Sequence, residues 1–111
     1  MIVRLYTGAD GRSHFEDLNE LPPDVEASAA RRATEVQFRR FPVGFFSDFH
    51  NAPRRQFLIT LSGQMEIGLG DGTRRRFGAG DVMLAEDLTG QGHTSRVVGN
   101  QPRVAAIIPL A

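Results

Sequence analysis

Two histidines stand where strand-like runs meet glycine turns. His50 precedes the run Arg55-Gln56-Phe57-Leu58-Ile59-Thr60-Leu61-Ser62, which closes at Gly63. His93 follows Gly80 across Val82-Met83-Leu84-Ala85 and the stretch Glu86-Asp87-Leu88-Thr89-Gly90-Gln91-Gly92. A chain that folds back between these runs brings both imidazoles to one pocket. Histidine changes charge near neutral pH, and a carboxylate beside it fixes the tautomer, so the set suits general acid–base work. Glu86 and Asp87, just before His93, are the carboxylates within reach. The expected catalytic residues are His50, His93 and Glu86. The expected substrate contacts are Arg54, Gln56 and Asp87. If Gln56 faces inward, pleat alternation sends Arg54 inward too and Arg55 outward, so Arg54 meets an anionic group.

Plainer readings stand beside these. A lone histidine at a strand end is more often structural than chemical; two at matching positions reverse that balance. Glu86-Asp87 also reads as a solvated turn, with Asp87 or Thr89 capping backbone. Gly90-Gln91-Gly92 either turns the chain sharply or admits a ligand close to the backbone. His14 lies far upstream and is expected to be exposed. Arg74-Arg75-Arg76 reads as the solvated face of a hairpin arm rather than a nucleic-acid patch.

Composition narrows the chemistry. The 111 residues favour one domain with a core that needs no staples. Cysteine is absent, which excludes disulfides and thiolate chemistry. All 13 basic residues are arginine, so no lysine forms a Schiff base and anion recognition falls to guanidinium groups. Basic and acidic residues balance to zero net charge, against the basic excess of a nucleic-acid binder. No apolar run approaches the roughly 20 residues of a membrane span, and Met1-Ile2-Val3-Arg4-Leu5-Tyr6 is too short for a signal peptide. A soluble cytoplasmic protein with a small-molecule ligand, and with neither nucleic acid nor membrane as partner, is the expectation.

The positioning elements are strands. Twelve glycines and six prolines cut the chain into short runs rich in Val, Ile, Phe and Thr, an all-β pattern. The runs predict strands at residues 1–7, 13–18, 34–39, 45–50, 55–62, 65–69, 73–77, 82–85, 94–98 and 104–108. Residues 24–33, after the break at Leu21-Pro22-Pro23, read as a surface loop. Residues 34–39 alternate Thr34, Val36 and Phe38 against Glu35, Gln37 and Arg39, which predicts a half-buried strand with the first set inward. Asp71-Gly72 marks a hairpin. Phe41, Phe45, Phe46, Phe49 and Phe57 are expected mostly in the core, some lining the pocket. Phe57, Ile59 and Leu61 oppose Gln56, Leu58 and Thr60, so both faces of that strand need cover; a homodimer packed through the sheet supplies it. About ten short strands imply a sandwich or barrel.

The residues around the histidines resemble those of the cupins, double-stranded β-helix jelly-roll barrels. The first cupin motif, G-x5-H-x-H-x3,4-E-x6-G, is similar to Gly44 through His50 to Gly63, with Ala52 for the second histidine and Gln56 for the acid. The second, G-x5-P-x-G-x2-H-x3-N, is similar to Gly80 through His93, with Glu86 for the proline and Val97 for the asparagine; the interval is about two residues longer. The motifs span roughly half the chain. The resemblance implies an all-β jelly-roll barrel of one domain over residues 1–111. It also implies a site for one divalent ion (Fe, Mn, Ni or Zn), held by His50, Gln56 and His93 with Glu86 as the fourth donor. Two imidazoles and a carboxylate with open positions resemble a facial triad. The expected function is a small-molecule-binding protein, a metal-assisted or histidine acid–base enzyme of lyase, isomerase or oxygenase type on a small polar substrate. The alternative is a ligand-binding or sensing protein without metal or catalysis.

Overall fold

Closely spaced glycine turns and β-branched runs favour short strands over helices. The computed structural model describes residues 1–18 and 31–111, and its regular elements are ten strands. They are β1 (Ile2–Thr7), β2 (Ser13–Asp17), β3 (Gln37–Phe41), β4 (Phe46–His50), β5 (Gln56–Ser62), β6 (Gln64–Gly68), β7 (Arg74–Phe77), β8 (Val82–Glu86), β9 (His93–Val98) and β10 (Arg103–Pro109). No helix among the described residues is long and apolar enough to cross a membrane. Most of the loop expected at residues 24–33, and the break at Leu21-Pro22-Pro23, lie outside the described residues.

Two sheets form, one of six strands in the order β2-β1-β8-β5-β10-β3 and one of four in the order β4-β9-β6-β7. Every pairing is antiparallel except β1 with β8. The architecture is the expected all-β jelly roll. The core sits between the sheets. Val3 and Leu5 of β1 and Met83 and Ala85 of β8 meet Met65 and Ile67 of β6 and Phe77 of β7 in one buried cluster. Full burial of each large side chain stabilises the fold by about 2 kcal/mol. Alternation decides membership: the register Val3↔Met83 and Leu5↔Ala85 puts all four on the inner face.

Two expectations about burial are corrected. The strand predicted at residues 34–39 begins at Gln37, and its parity is reversed: Val36 is 55% and Phe38 73% exposed. Gln37, Arg39 and Phe41 form the row that borders the cavity and its rim instead. The alternation was legible, but the inner side at this sheet edge borders an open cavity rather than packed core. The five phenylalanines are not core either. Phe41 and Phe57 are half-buried, and Phe45, Phe46 and Phe49 are exposed, on or beside the edge strand β4.

The arginine run is solvated, as expected, and each member has an acidic partner: Arg74 and Arg76 pair with Glu66, Arg75 with Asp17. Gly63 turns β5 into β6 with φ +75°, and a Cβ there would collide with the Pro102 carbonyl oxygen. Both the left-handed backbone and the close approach demand glycine. Gly63→Ala is expected to destabilise the domain by at least about 2 kcal/mol, read as a lower urea midpoint with an unchanged slope.

Candidate functional site

The site begins with an irregularity in β4. Its pairing with β9 runs Ser47↔Ser95 and then His50↔His93, three steps on one strand against two on the other. In a regular strand, Ser47 and His50 would face opposite sides; the extra residue of this bulge turns both into the cavity. The paired histidines stand with ring centroids 4.5 Å apart at 56°. The sequence therefore places its two candidate histidines together, as the spacing predicts. Gly92 makes the approach possible: φ is +78°, and a Cβ there would strike the His50 carbonyl. The close approaches that Gly90-Gln91-Gly92 permits are thus to backbone, Gly92 to His50 and Gly90 to Gly11. Ala52 N donates to Asp87 O at 3.1 Å, and Asn51 Nδ2 donates to Thr89 O at 2.9 Å, binding the two loops together.

Each imidazole is held through Nδ1. The His50 Nδ1 lies 2.7 Å from the Asp48 carbonyl oxygen, which can only accept, so Nδ1 carries the proton. Ser47 Oγ adds a contact at 3.2 Å. The His93 Nδ1 lies 2.6 Å from Asp87 Oδ2, which also accepts from Ser13 Oγ at 2.6 Å. An ionised carboxylate only accepts, so His93 Nδ1 donates as well. Both rings then present Nε2 as a lone pair, and neither Nε2 has a hydrogen-bond partner among the described residues.

The carboxylates exchange the places expected of them. Ala85 faces the core, so Glu86 faces outward, where it pairs with Arg4 at 3.6 Å and Arg55 at 3.4 Å. Glu86 is neither a fourth metal donor nor a catalytic group in the cavity. Asp87, one step further, turns back in and is fully buried. It lies behind His93 rather than in contact with the cavity, so it positions an imidazole rather than a substrate. Pleat parity carried this signal: extending the strand of residues 82–85 by one residue sends Glu86 out.

Of the expected ion-binding set, His50, His93 and the buried Gln56 line the cavity, and Glu86 does not. Among the described residues, no cluster of three or more His, Cys, Asp or Glu is arranged to hold a metal. Two imidazoles and a weakly donating amide leave the set short of the three strong protein donors typical of such sites, so the residues do not fit the implied ion. Arg54 reaches only the rim, with Gln37 and Arg39, and pairs with Glu35 at 3.7 Å. His14 is away from the cavity and bonded to Asp10 at 2.9 Å.

The cavity measures about 320 Å³, with apolar walls that include Phe41, Leu58, Met65, Met83 and Ile107. Three lining arginines escaped the sequence reading: Arg39 of β3, Arg96 of β9 and Arg103 of β10. Arg103 is 3% exposed, and its Nε donates to Thr60 Oγ1 at 3.2 Å. Burial pushes its pKa down to about 10, so it stays charged at neutral pH. Strand parity with Ala105 and Ile107 points Arg103 inward, but an arginine beside Asn100-Gln101-Pro102 looks like part of a solvated turn in sequence.

No protein-family model and no curated protein matches the chain. Solved structures do resemble it. The DMSP lyase DddQ from Ruegeria pomeroyi superposes with a TM-score of 0.57 at 19% identity over 77% of this chain. The chain spans 41% of that enzyme's length. The Cnp3 cupin domain of Schizosaccharomyces pombe gives 0.52 at 14% identity over 89% of this chain and 73% of its own. A CENP-C domain of Drosophila melanogaster gives 0.50 at 12% identity over 96% and 71%. The chain has the cupin fold, and these neighbours include both an enzyme and domains named only for their fold.

Asp87→Ala would strand two buried donors, the Ser13 hydroxyl and the His93 Nδ1–H. The expected loss is roughly 2–3 kcal/mol in urea unfolding. Nitrogen-15 spectra of the Asp87→Asn variant at mildly alkaline pH are expected to show His93 no longer held in the single Nδ1–H tautomer, with His50 unchanged.

Proposed function

We propose that the cavity binds a small polar molecule and moves a proton on it, with His93 and His50 as base and acid. The carrying observation is the pair of Nε2 lone pairs left free in one cavity while each Nδ1 is engaged. A group that accepts a proton from carbon or oxygen needs that lone pair, a fixed ring and reach into the cavity. Asp87 supplies the fixation for His93 and stabilises its imidazolium once the proton arrives. The neighbouring ring, when protonated, returns a proton to another atom of the substrate, so an isomerisation or elimination balances within the pocket. The Gln56 amide lines the same cavity without a hydrogen bond to the described protein, and is available to a polar ligand atom. No step in this scheme passes through a metal.

In D2O, small hydroxy and carbonyl compounds that bind are expected to gain deuterium at one carbon, followed by NMR. His93→Ala and His50→Ala are each expected to slow that exchange by about 100-fold or more. A compound that binds and is returned with every proton in place would sink the catalytic reading in favour of a binding or sensing role.

We also propose that the outer face of the six-stranded sheet is covered by a second copy of the chain. The register Ile59↔Ala106↔Phe38 lays an apolar row across β5, β10 and β3, flanked by Val36 and Leu61, which are 55% and 48% exposed. A patch meeting itself about a two-fold axis covers both copies at once. Sedimentation is expected to find a dimer that Phe38→Asp converts to a folded monomer. A monomer for the unaltered chain at high concentration would refute it.

A further inference from the structure

Arg103 takes no part in the proton transfer, yet it is the most deeply buried cation of the cavity. Inward parity on β10 brings it to the cavity wall, opposite Phe41 of β3. Its only hydrogen bond among the described residues is from Nε to the neutral Thr60 Oγ1. Its Nη2 is buried with no partner. No carboxylate among the described residues lies within ion-pair distance of it, and no Asp or Glu lines the cavity. Asp87 Oδ2 is committed to His93 and Ser13.

A buried guanidinium without a counterion is costly, and the usual remedy is a partner charge with hydrogen bonds. Here the open side is the cavity. The Phe41 ring lies 5.4 Å from the Arg103 guanidinium carbon and 5.0 Å from that of Arg39. Contact with a ring face uses no N–H donor; with Nε given to Thr60 and Nη2 buried, Nη1 is the donor left for a ligand in the cavity. One deeply buried cation matches one negative charge. The remaining walls are largely apolar, and a volume of about 320 Å³ suits a compact skeleton.

We propose that Arg103 is the anion subsite of this cavity, and that its ligand is a small organic monocarboxylate whose skeleton lies between Arg103 and the His50–His93 pair. The assignment deepens the proton-transfer reading and rests on it for the identity of the pocket. A carboxylate so held presents its adjacent carbons to the apolar wall.

The test pairs propionate, isobutyrate and lactate with propionamide, isobutyramide and lactamide, which keep shape and lose charge. Calorimetric titration of the unaltered protein is expected to favour the acid over its amide by at least about tenfold for one or more pairs. Arg103→Met, with folding checked by circular dichroism and melting temperature, is expected to erase that preference. Arg103→Lys, which keeps the charge without the fork, is expected to retain part of it. Equal binding of acids and amides, or a preference undiminished in a folded Arg103→Met, overturns the assignment. So does inorganic phosphate or sulfate binding more tightly than every carboxylate. Because the acid–amide comparison uses the unaltered protein, equal binding overturns the assignment even if a variant fails to fold, and Arg103→Lys, the milder change, then carries the attribution to Arg103 over Arg39 and Arg96. The two readings fail separately: acids that bind through Arg103 without deuterium exchange defeat proton transfer alone. Exchange that proceeds equally on amides and in Arg103→Met defeats the anion subsite alone.

Discussion

A fully buried carboxylate must find its hydrogen bonds inside the protein, and the site is organised around the one oxygen through which Asp87 does so, Oδ1 having no partner among the described residues. Its Oδ2 accepts from Ser13 on β2 and from His93 on β9, joining the two sheets at one atom. The energetic sense is asymmetric. Made, such bonds add little net stability; broken, they leave a buried charge and stranded donors at a cost of several kcal/mol. That asymmetry holds the His93 ring in one orientation. It also holds the end of β8 against the loop after β4, where the Asp87 carbonyl receives Ala52 N. The opposite histidine reaches the same space by a different device, a bulge that re-aims His50, with the Asp48 carbonyl fixing its tautomer. One ring is oriented by a buried charge and the other by backbone.

The substitutions in the motif regions gain a physical sense from this arrangement. Ala52 and Gln56 replace an imidazole and a carboxylate by groups that carry no charge, and both are buried. What remains is a cavity with neutral and positive lining and no acidic one. Carboxylates attract divalent ions; with none in the lining and Glu86 turned outward, Arg103, Arg39 and Arg96 set the local field. The same jelly-roll frame thus supports a different electrostatic character once its acidic group is withdrawn. Likeness of fold to an enzyme and to named cupin domains leaves the reaction open, since function belongs to the site and not the frame.

Much of the frame was readable from the chain. Glycine and proline punctuation divides it into ten strands, and nine of the ten lie within about two residues of their expected bounds at either end. β3 is the exception in register and in facing. Its alternation is clear, but alternation names two faces without saying which is inner, and a strand beside an open cavity rather than packed core reverses the usual rule. The phenylalanines around Gly44 mislead for a related reason: aromatic content signals burial only when the strand has neighbours on both sides, and β4 is an edge.

The sequence by itself determined the elements and the two histidines, because turns and alternation are local properties of covalent structure. Gly44, His50 and Gly63 sit in register with a known barrel motif through spacing alone, and Gly80 and His93 match its second motif at an interval about two residues longer. Tertiary structure decided which carboxylate serves His93, because Glu86 and Asp87 differ by one step and a pleat sends one step to the opposite face. It decided that His50 meets His93, since one extra residue in a ladder is invisible until both strands are paired. It also decided that Arg103 is buried, because burial depends on what lies across the barrel, and Phe41 and Thr60 are distant from Arg103 in the chain.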